Sequence, residues 1–282
     1  MDTQTFTGLA GFLKKNSGLV LGPDKLYLVQ SRLQTLAQKA GFPSIDAFAT
    51  AVTGGALKAW EKPVIEAMTT NETSFFRDNH PFTLFRSAVL PFLAGARADR
   101  RTLRILCAAA SSGQEPYSLA MLLCEERLRL AGWKVEIVGI DIDTQVLARA
   151  EEGLYSAFEI QRGLPVTFLG KYFEQAGEGQ WRVKKDLRNM VSFRPFNLLH
   201  SMAPLGHFDV VFCRNVLIYF DEATKRDVLT RLGQQMPDDG FLFLGGAETV
   251  LGITDRFRPV AGKRGVYVKP TRAADGGLAV AA

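Results

Sequence analysis

Cysteine and histidine are scarce in this chain, with three of each in 282 residues. Cys107, Cys124 and Cys213 each sit in an apolar run and none forms a CxxC pair. Neither a disulfide framework nor a thiolate zinc site is therefore expected. His80, His200 and His207 make no HxxxH or HxH pattern, so no metal is expected, and His200 and His207 read as solvated loop residues. No apolar run approaches the about 18 residues needed to cross a bilayer. The start, Met1–Asp2–Thr3–Gln4, lacks the basic-then-apolar pattern of a secretory signal. A cytoplasmic protein with no membrane insertion is expected.

Hydrophobic residues make up 47% of the chain and charged residues 22%. A sizeable core is therefore available, and disorder is not the default. The length suits one large domain, or a medium domain with a small one. A net charge of +5 favours an acidic partner (nucleic acid, an anionic membrane or an acidic protein surface), or simply describes a basic soluble protein.

Residues 1–68 read as helical. Phe6, Leu9, Phe12 and Leu13 recur at helical spacing, and Gly18 can stop that helix. A second helix is expected from Pro23–Asp24 to about Ala40 with Gly41 as its stop. Ser44 caps a third, ended by Gly54–Gly55, and a fourth covers Lys62–Met68. From about residue 100, strands alternate with helices. Strands are expected at Leu103–Ala108, Val135–Asp141, Val191–Pro195, Phe208–Cys213 and Phe241–Leu244, with a final pair at Phe257–Val260 and Gly265–Lys269. Helices fall at Pro116–Leu130, Thr144–Glu152 and Ala223–Met236. This alternation predicts an α/β fold, a doubly wound sheet with an antiparallel edge. The stretch 153–189 fits poorly and reads as an insertion in which Trp181–Val183 is a small accessory strand. Residues 271–282, rich in Ala and Gly, read as a disordered tail.

Doubly wound sheets bind ligands beyond the carboxyl ends of their central strands. The first strand is followed by Ala109-Ala110-Ser111-Ser112-Gly113-Gln114-Glu115. Its small residues let backbone approach a ligand, but there is no GxGxxG to argue for a pyrophosphate. Glu115 either serves the ligand or merely suits a helix N-terminus. Asp141, at the tip of the second strand, matches the usual partner of adenosine ribose hydroxyls. Asp143 reads as the cap of the next helix. Adenosine without diphosphate points to S-adenosylmethionine (SAM), whose ammonium and sulfonium suit carboxylates.

Five segments then carry a resemblance. They are Thr69-Thr70-Asn71-Glu72-Thr73-Ser74-Phe75-Phe76-Arg77, the run from Ala108 to Ser118, Asp141-Ile142-Asp143, Phe196-Asn197-Leu198-Leu199, and the run from Cys213 to Asp221. In this order the chain resembles the CheR chemotaxis methyltransferases from about residue 5 to 270. The resemblance implies a class I SAM-methyltransferase sheet at 69–270 with an accessory β insertion at about 153–189. A small all-α N-terminal domain at 1–68 precedes it. It implies SAM as methyl donor and S-adenosylhomocysteine as product. Asn71, Thr73 and Arg77 would fold over the cofactor. Glu115 would take its methionine end, Asp141 the ribose, Asn197 and Leu198 the adenine, and Arg214 and Asn215 the floor beneath the sulfonium. Arg77 and Tyr219 would face the transferred methyl group and act as the catalytic pair. Phe75 and Phe76 read as packing.

The substrate implied is a glutamate of a methyl-accepting chemotaxis receptor, in its acidic helical methylation region. That carboxylate is ionised at neutral pH, given a reference pKa of about 4.3, so no general base is needed. Lys25, Arg32 and Lys39 are spaced by seven and would form a basic stripe for docking the receptor, or a solvated face. The family often carries more arginines here, where this chain has Gln34, Thr35 and Gln38. Family members that tether to a receptor's C-terminal pentapeptide have a longer insertion loop than Glu174–Gln180. Pentapeptide independence is therefore expected, as is a monomer. A nucleic-acid or small-molecule methyltransferase is the rival reading. No Lys/Arg cluster interleaved with aromatics supports nucleic acid, and no Asn/Asp-Pro-Pro-Tyr/Phe segment is present. A silent SAM-binding adaptor is the rival of another class; the intact Arg77 and Tyr219 count against it.

Overall fold

The computed structural model describes residues 1–271. The expected tail lies almost wholly outside them. Four helices open the chain: α1 (Thr3–Ser17), α2 (Leu26–Lys39), α3 (Ile45–Thr53) and α4 (Lys58–Met68). Asp2 accepts the Thr5 N–H at the start of α1, and Gly18 ends it at φ 80°. Ser44 caps α3 through the Ala47 N–H. Leu9, Leu13, Val29, Leu33, Phe48, Val52 and Val64 share one small core. Each such side chain, fully buried, contributes roughly 1.5–3 kcal/mol.

Beyond a linker, residues 69–79, a helical run passes from α5 (His80–Leu84) through a π-helical stretch, Phe85–Val89, into α6 (Leu90–Ala96). Sequence periodicity misses it. Pro81 and Pro91 interrupt the pattern, and Phe82, Phe85, Val89, Leu90 and Leu93 are all buried, so the run has no clear polar face. It covers the sheet, with Phe82 and Phe85 both against Phe212.

The alternating region follows as β1 (Thr102–Ala108), α7 (Gln114–Glu125), β2 (Lys134–Asp141), α8 (Thr144–Glu152), β3 (Leu154–Ser156), α9 (Ala157–Gln161) and α10 (Val166–Tyr172). Next come β4 (Phe173–Gln175), β5 (Gln180–Val183), α11 (Lys185–Arg188), β6 (Val191–Pro195), β7 (Val210–Cys213) and α12 (Glu222–Gln234). β8 (Phe241–Leu244), β9 (Arg258–Pro259) and β10 (Val266–Val268) complete the set. The main sheet has the order β6-β2-β1-β7-β8-β10-β9. Its first five strands are parallel, and β10 pairs antiparallel with both β8 and β9. β7 and β8 are buried along their whole length, as strands covered on both faces must be. Strand order turns back between β1 and β7, which opens a crevice at their carboxyl ends.

Two readings need correction. α7 stops at Glu125, five residues before the expected Leu130. There the Glu126 N–H reaches the Leu122 and Leu123 carbonyls and the Arg127 N–H the Cys124 carbonyl, tightening the last turn. The insertion holds a three-stranded antiparallel sheet, β3-β5-β4, where one strand was expected. β3 and β4 have three residues each, too few to show alternation.

Candidate active site

The loop after β1 is wound tightly. Ala109, Ser111 and Gly113 have φ of 61°, 51° and 92°. A Cβ on Gly113 would lie 2.9 Å from Ala150 Cβ, so no larger residue fits there. The Asp141 carboxylate accepts the Ser111 N–H at 2.8 Å and the Asp143 N–H at 3.0 Å. It thereby joins the β1 loop to the tip of β2. Burial pushes the Asp141 carboxyl above its usual range, while these two N–H groups oppose the rise.

Glu115 lies in the first turn of α7. Its Oε2 accepts from Arg214 Nη1 at 2.8 Å. Burial pushes its carboxyl up, with the Arg214 charge pulling the other way. Arg214 Nη2 donates to Asp78 Oδ2 at 2.7 Å and to the Arg77 carbonyl at 2.9 Å. Its Nε is buried and has no acceptor among the described residues, a donor that a ligand can satisfy.

The linker arches over these strand ends. Asn71 donates to Asp143 Oδ2 at 2.7 Å, while Asp143 caps α8 as expected, through the Gln145 and Val146 N–H groups. Arg77 Nη1 donates to the Glu72 carbonyl at 2.7 Å. Phe76, Asp78 and Asn79 all have positive φ, strained conformations of the kind that clusters at ligand sites. Buried Glu66 of α4 accepts from the Thr144 N–H at 2.9 Å, so the helical domain grips the start of α8.

One cleft gathers the expected residues. The linker contributes Asn71, Thr73 and Arg77; the first turn of α7 contributes Glu115, the end of β2 Asp141, and the loop after β6 Asn197 and Leu198. The segment after β7 contributes Arg214, Asn215 and Tyr219. The cleft encloses about 1000 Å3 including its open mouth. Ser17 and Leu19 of the helical domain also line it. Asn197 does more than line it, because its Nδ2 donates to the Asn16 carbonyl at 2.6 Å and its Oδ1 accepts the Leu199 N–H. Its carboxamide therefore links the two domains.

The basic residues do not gather as expected. Lys25 lies in a 3-10 turn ahead of α2 and pairs with Asp24. Arg32 turns inward, donating to the Met68 and Thr69 carbonyls at 2.9 and 2.7 Å. Lys25 and Lys39 are both exposed, and of the two only Lys39 lies in α2. The continuous stripe fails because its middle member is recruited to the linker. Among the described residues, no His/Cys/Asp/Glu group could hold a metal ion. Sequence reasoning missed Asp78 and Glu248. The only local signal for Glu248 is the Gly245–Gly246 pair after β8.

The donor set fits SAM. Two buried carboxylates, each already held by a protein donor, keep lone pairs for hydroxyl and ammonium groups, Ile140 and Leu198 offer apolar wall, and Arg214 Nε lacks an acceptor among the described residues. A doubly wound sheet with this cleft at its switch point defines a class I SAM-dependent methyltransferase. The profile described as CheR methyltransferase, SAM binding domain, matches residues 71–266, and that described as CheR methyltransferase, all-alpha domain, matches residues 4–69. The chain belongs to the CheR methyltransferase family. It is 44% identical over 263 residues to chemotaxis protein methyltransferase 1 of Pseudomonas aeruginosa, covering 92% of this chain and 94% of that one. It is 39% identical over 271 residues to the chemotaxis protein methyltransferase of Vibrio parahaemolyticus, covering 95% and 98%. With the Escherichia coli chemotaxis protein methyltransferase it shares 34% over 257 residues, 89% and 86% of the two chains.

Proposed function

We propose that this methyltransferase esterifies glutamate side chains in the helical methylation region of chemotaxis receptors. One observation carries the chemistry. Among the described residues the cleft lining contains no histidine, and its two buried carboxylates are engaged, Glu115 with Arg214 and Asp141 with backbone N–H groups. The lining's remaining carboxylate, exposed Glu72, is paired with Arg162, so among the described residues no lining carboxylate stands unpaired for a nucleophile that needs deprotonation, whereas an ionised glutamate needs no base. The names of the relatives support the receptor as substrate.

Bound SAM supplies a methyl group on a sulfonium centre. Glu115 would hold its methionine end, Asp141 would accept from its ribose, and Asn71 and Thr73 would close over it. Asn197 and Leu198 would border the adenine, while Arg214 and Asn215 would form the floor. Arg77, one of whose N–H groups is held by the Glu72 carbonyl, orients the substrate carboxylate with its remaining donors. The Tyr219 hydroxyl donates a positioning hydrogen bond. The rest of the catalytic gain is alignment and exclusion of water.

Receptor docking falls to Lys39 and the exposed face of α2. Tethering to a receptor pentapeptide is absent in this reading, since residues 176–179 close the β4–β5 hairpin tightly, the Ala176 N–H meeting the Gln180 carbonyl at 2.9 Å. No described helix is long and apolar enough to cross a membrane; a monomer working in the cytoplasm fits this function. The test is methylation of purified receptors from the source organism. The expected product releases methanol in mild base, and a base-stable methyl group would overturn the assignment.

A further inference from the structure

The segment after β7 is the least regular wall of the cleft, yet it carries Asn215 and Tyr219. Asn215 has φ 58°. Beyond it Val216 leads into a 3-10 turn, Leu217–Tyr219, closed by the Tyr219 N–H on the Val216 carbonyl at 3.1 Å. Leu217 anchors the segment in the core, but packing leaves the backbone N–H groups of Asn215, Val216 and Leu217 to be satisfied from elsewhere.

The support comes from the loop after the neighbouring strand. Glu248 is 8% exposed. Its Oε1 accepts the Val216 and Leu217 N–H groups at 2.9 and 2.7 Å. Its Oε2 accepts the Asn215 and Gly245 N–H groups at 2.8 and 2.7 Å. One carboxylate, with two lone pairs on each oxygen, thus satisfies four backbone donors. Three successive N–H groups converge on an anion, the geometry of a backbone nest. Gly245 makes room for it, since a Cβ there would stand 2.7 Å from Glu248 Oε2 and 2.9 Å from Asn215 Nδ2.

We propose that Glu248 is a positioning residue of the active site, the internal anion around which the Asn215–Tyr219 segment is wound. It acts on catalysis through Tyr219, resting there on the role given to that hydroxyl above. It acts on the cofactor through Asn215, independently of that role. No amide can replace it. A glutamine has a single acceptor oxygen, and its NH2 group would confront two of the four N–H donors. Charge and shape are both required.

Two variants separate these demands. Glu248→Gln keeps the shape and removes the charge; Gly245→Ala keeps the charge and displaces it. In folded protein, checked by circular dichroism, each is expected to bind S-adenosylhomocysteine about tenfold more weakly by calorimetry. At saturating SAM and receptor, kcat is expected to fall about 100-fold, the scale of a small misplacement of reacting groups. A merely structural role would lower the melting temperature and leave both constants unchanged well below it; that result overturns the proposal. In the Glu248→Gln background, Tyr219→Phe should cost less than in wild type, because the hydroxyl is already misplaced; additive losses overturn the link to Tyr219. If Tyr219→Phe is harmless in wild type, the role of the hydroxyl fails while the binding result still judges Glu248. In the unaltered protein, the Asn215, Val216 and Leu217 amides should exchange as slowly as those of β7. Rapid exchange there would overturn the proposal even if neither variant folds.

Discussion

Arg214 Nη1 lies 2.8 Å from Glu115 Oε2, an ion pair at the carboxyl ends of β7 and β1 whose two side chains are 2% and 11% exposed. The pair is held without being neutral in effect, because burial still keeps the Glu115 carboxyl above its usual range. Asp141 is shifted the same way by its burial.

Cofactor binding should therefore depend on pH. A ligand ammonium beside Glu115 and hydroxyls on Asp141 favour the ionised carboxylates. Affinity for S-adenosylhomocysteine is expected to fall on acidification through a window that lies above the usual carboxylate range, because burial raises both groups. The limit is about tenfold per pH unit for each proton taken up. The same groups act oppositely on the free protein. The folded chain holds protons that the unfolded chain releases, so their contribution to stability is present at low pH and lost as pH rises through that window. Calorimetry across pH checks both signs.

Asp141→Asn should weaken cofactor binding by about 1–3 kcal/mol, since one acceptor oxygen becomes a donor facing hydroxyls and the Ser111 or Asp143 N–H. Asp141→Ala should lose at least as much and also loosen the β1 loop. An unchanged dissociation constant in folded protein would remove Asp141 from the ribose site.

Arg77→Ala and Tyr219→Phe should lower receptor methylation while leaving the melting temperature close to wild type. The tyrosine change preserves the ring and isolates the hydroxyl. Normal turnover of Tyr219→Phe at saturating SAM and receptor would show that the hydroxyl plays no chemical part.

Lys39→Ala and Arg32→Ala should separate docking from architecture. Lys39 is exposed, so its loss should raise the KM for receptor, most at low salt, with stability unchanged. Arg32 holds two linker carbonyls, so its loss should cost about 1–3 kcal/mol of stability in a denaturant titration. Equal receptor KM values for Lys39→Ala and wild type at low salt would move the docking surface elsewhere.

A receptor C-terminal pentapeptide should not bind. Glu174 and Glu178 are exposed on the β4–β5 hairpin and repel a carboxylate, and the closed turn offers no extended loop to wrap a peptide. Saturable binding in the low micromolar range (the affinity expected of a working tether), mapped to β3, β4 or β5, would contradict this.

Local chemistry alone determined much of this protein. Asp143 and Ser44 cap helices wherever the chain goes, Gly18 and Gly153 end them at positive φ, and β2, β6 and β8 are legible from runs of strand-forming residues. Placing Glu115 and Asp141 at the ends of strands needed only the order of the elements. What the tertiary structure decided is which partner each polar group meets. Arg32 stands in a regular seven-residue spacing, yet it turns to carbonyls 36 and 37 residues away. Asn197 reaches the Asn16 carbonyl across 181 residues, and Glu248 finds three amides more than thirty residues earlier. Periodicity and caps act over one or two turns of chain. A buried hydrogen bond is chosen by which donors the sheet order leaves unpaired at the same place, and that is a property of the packed sheet rather than of any segment.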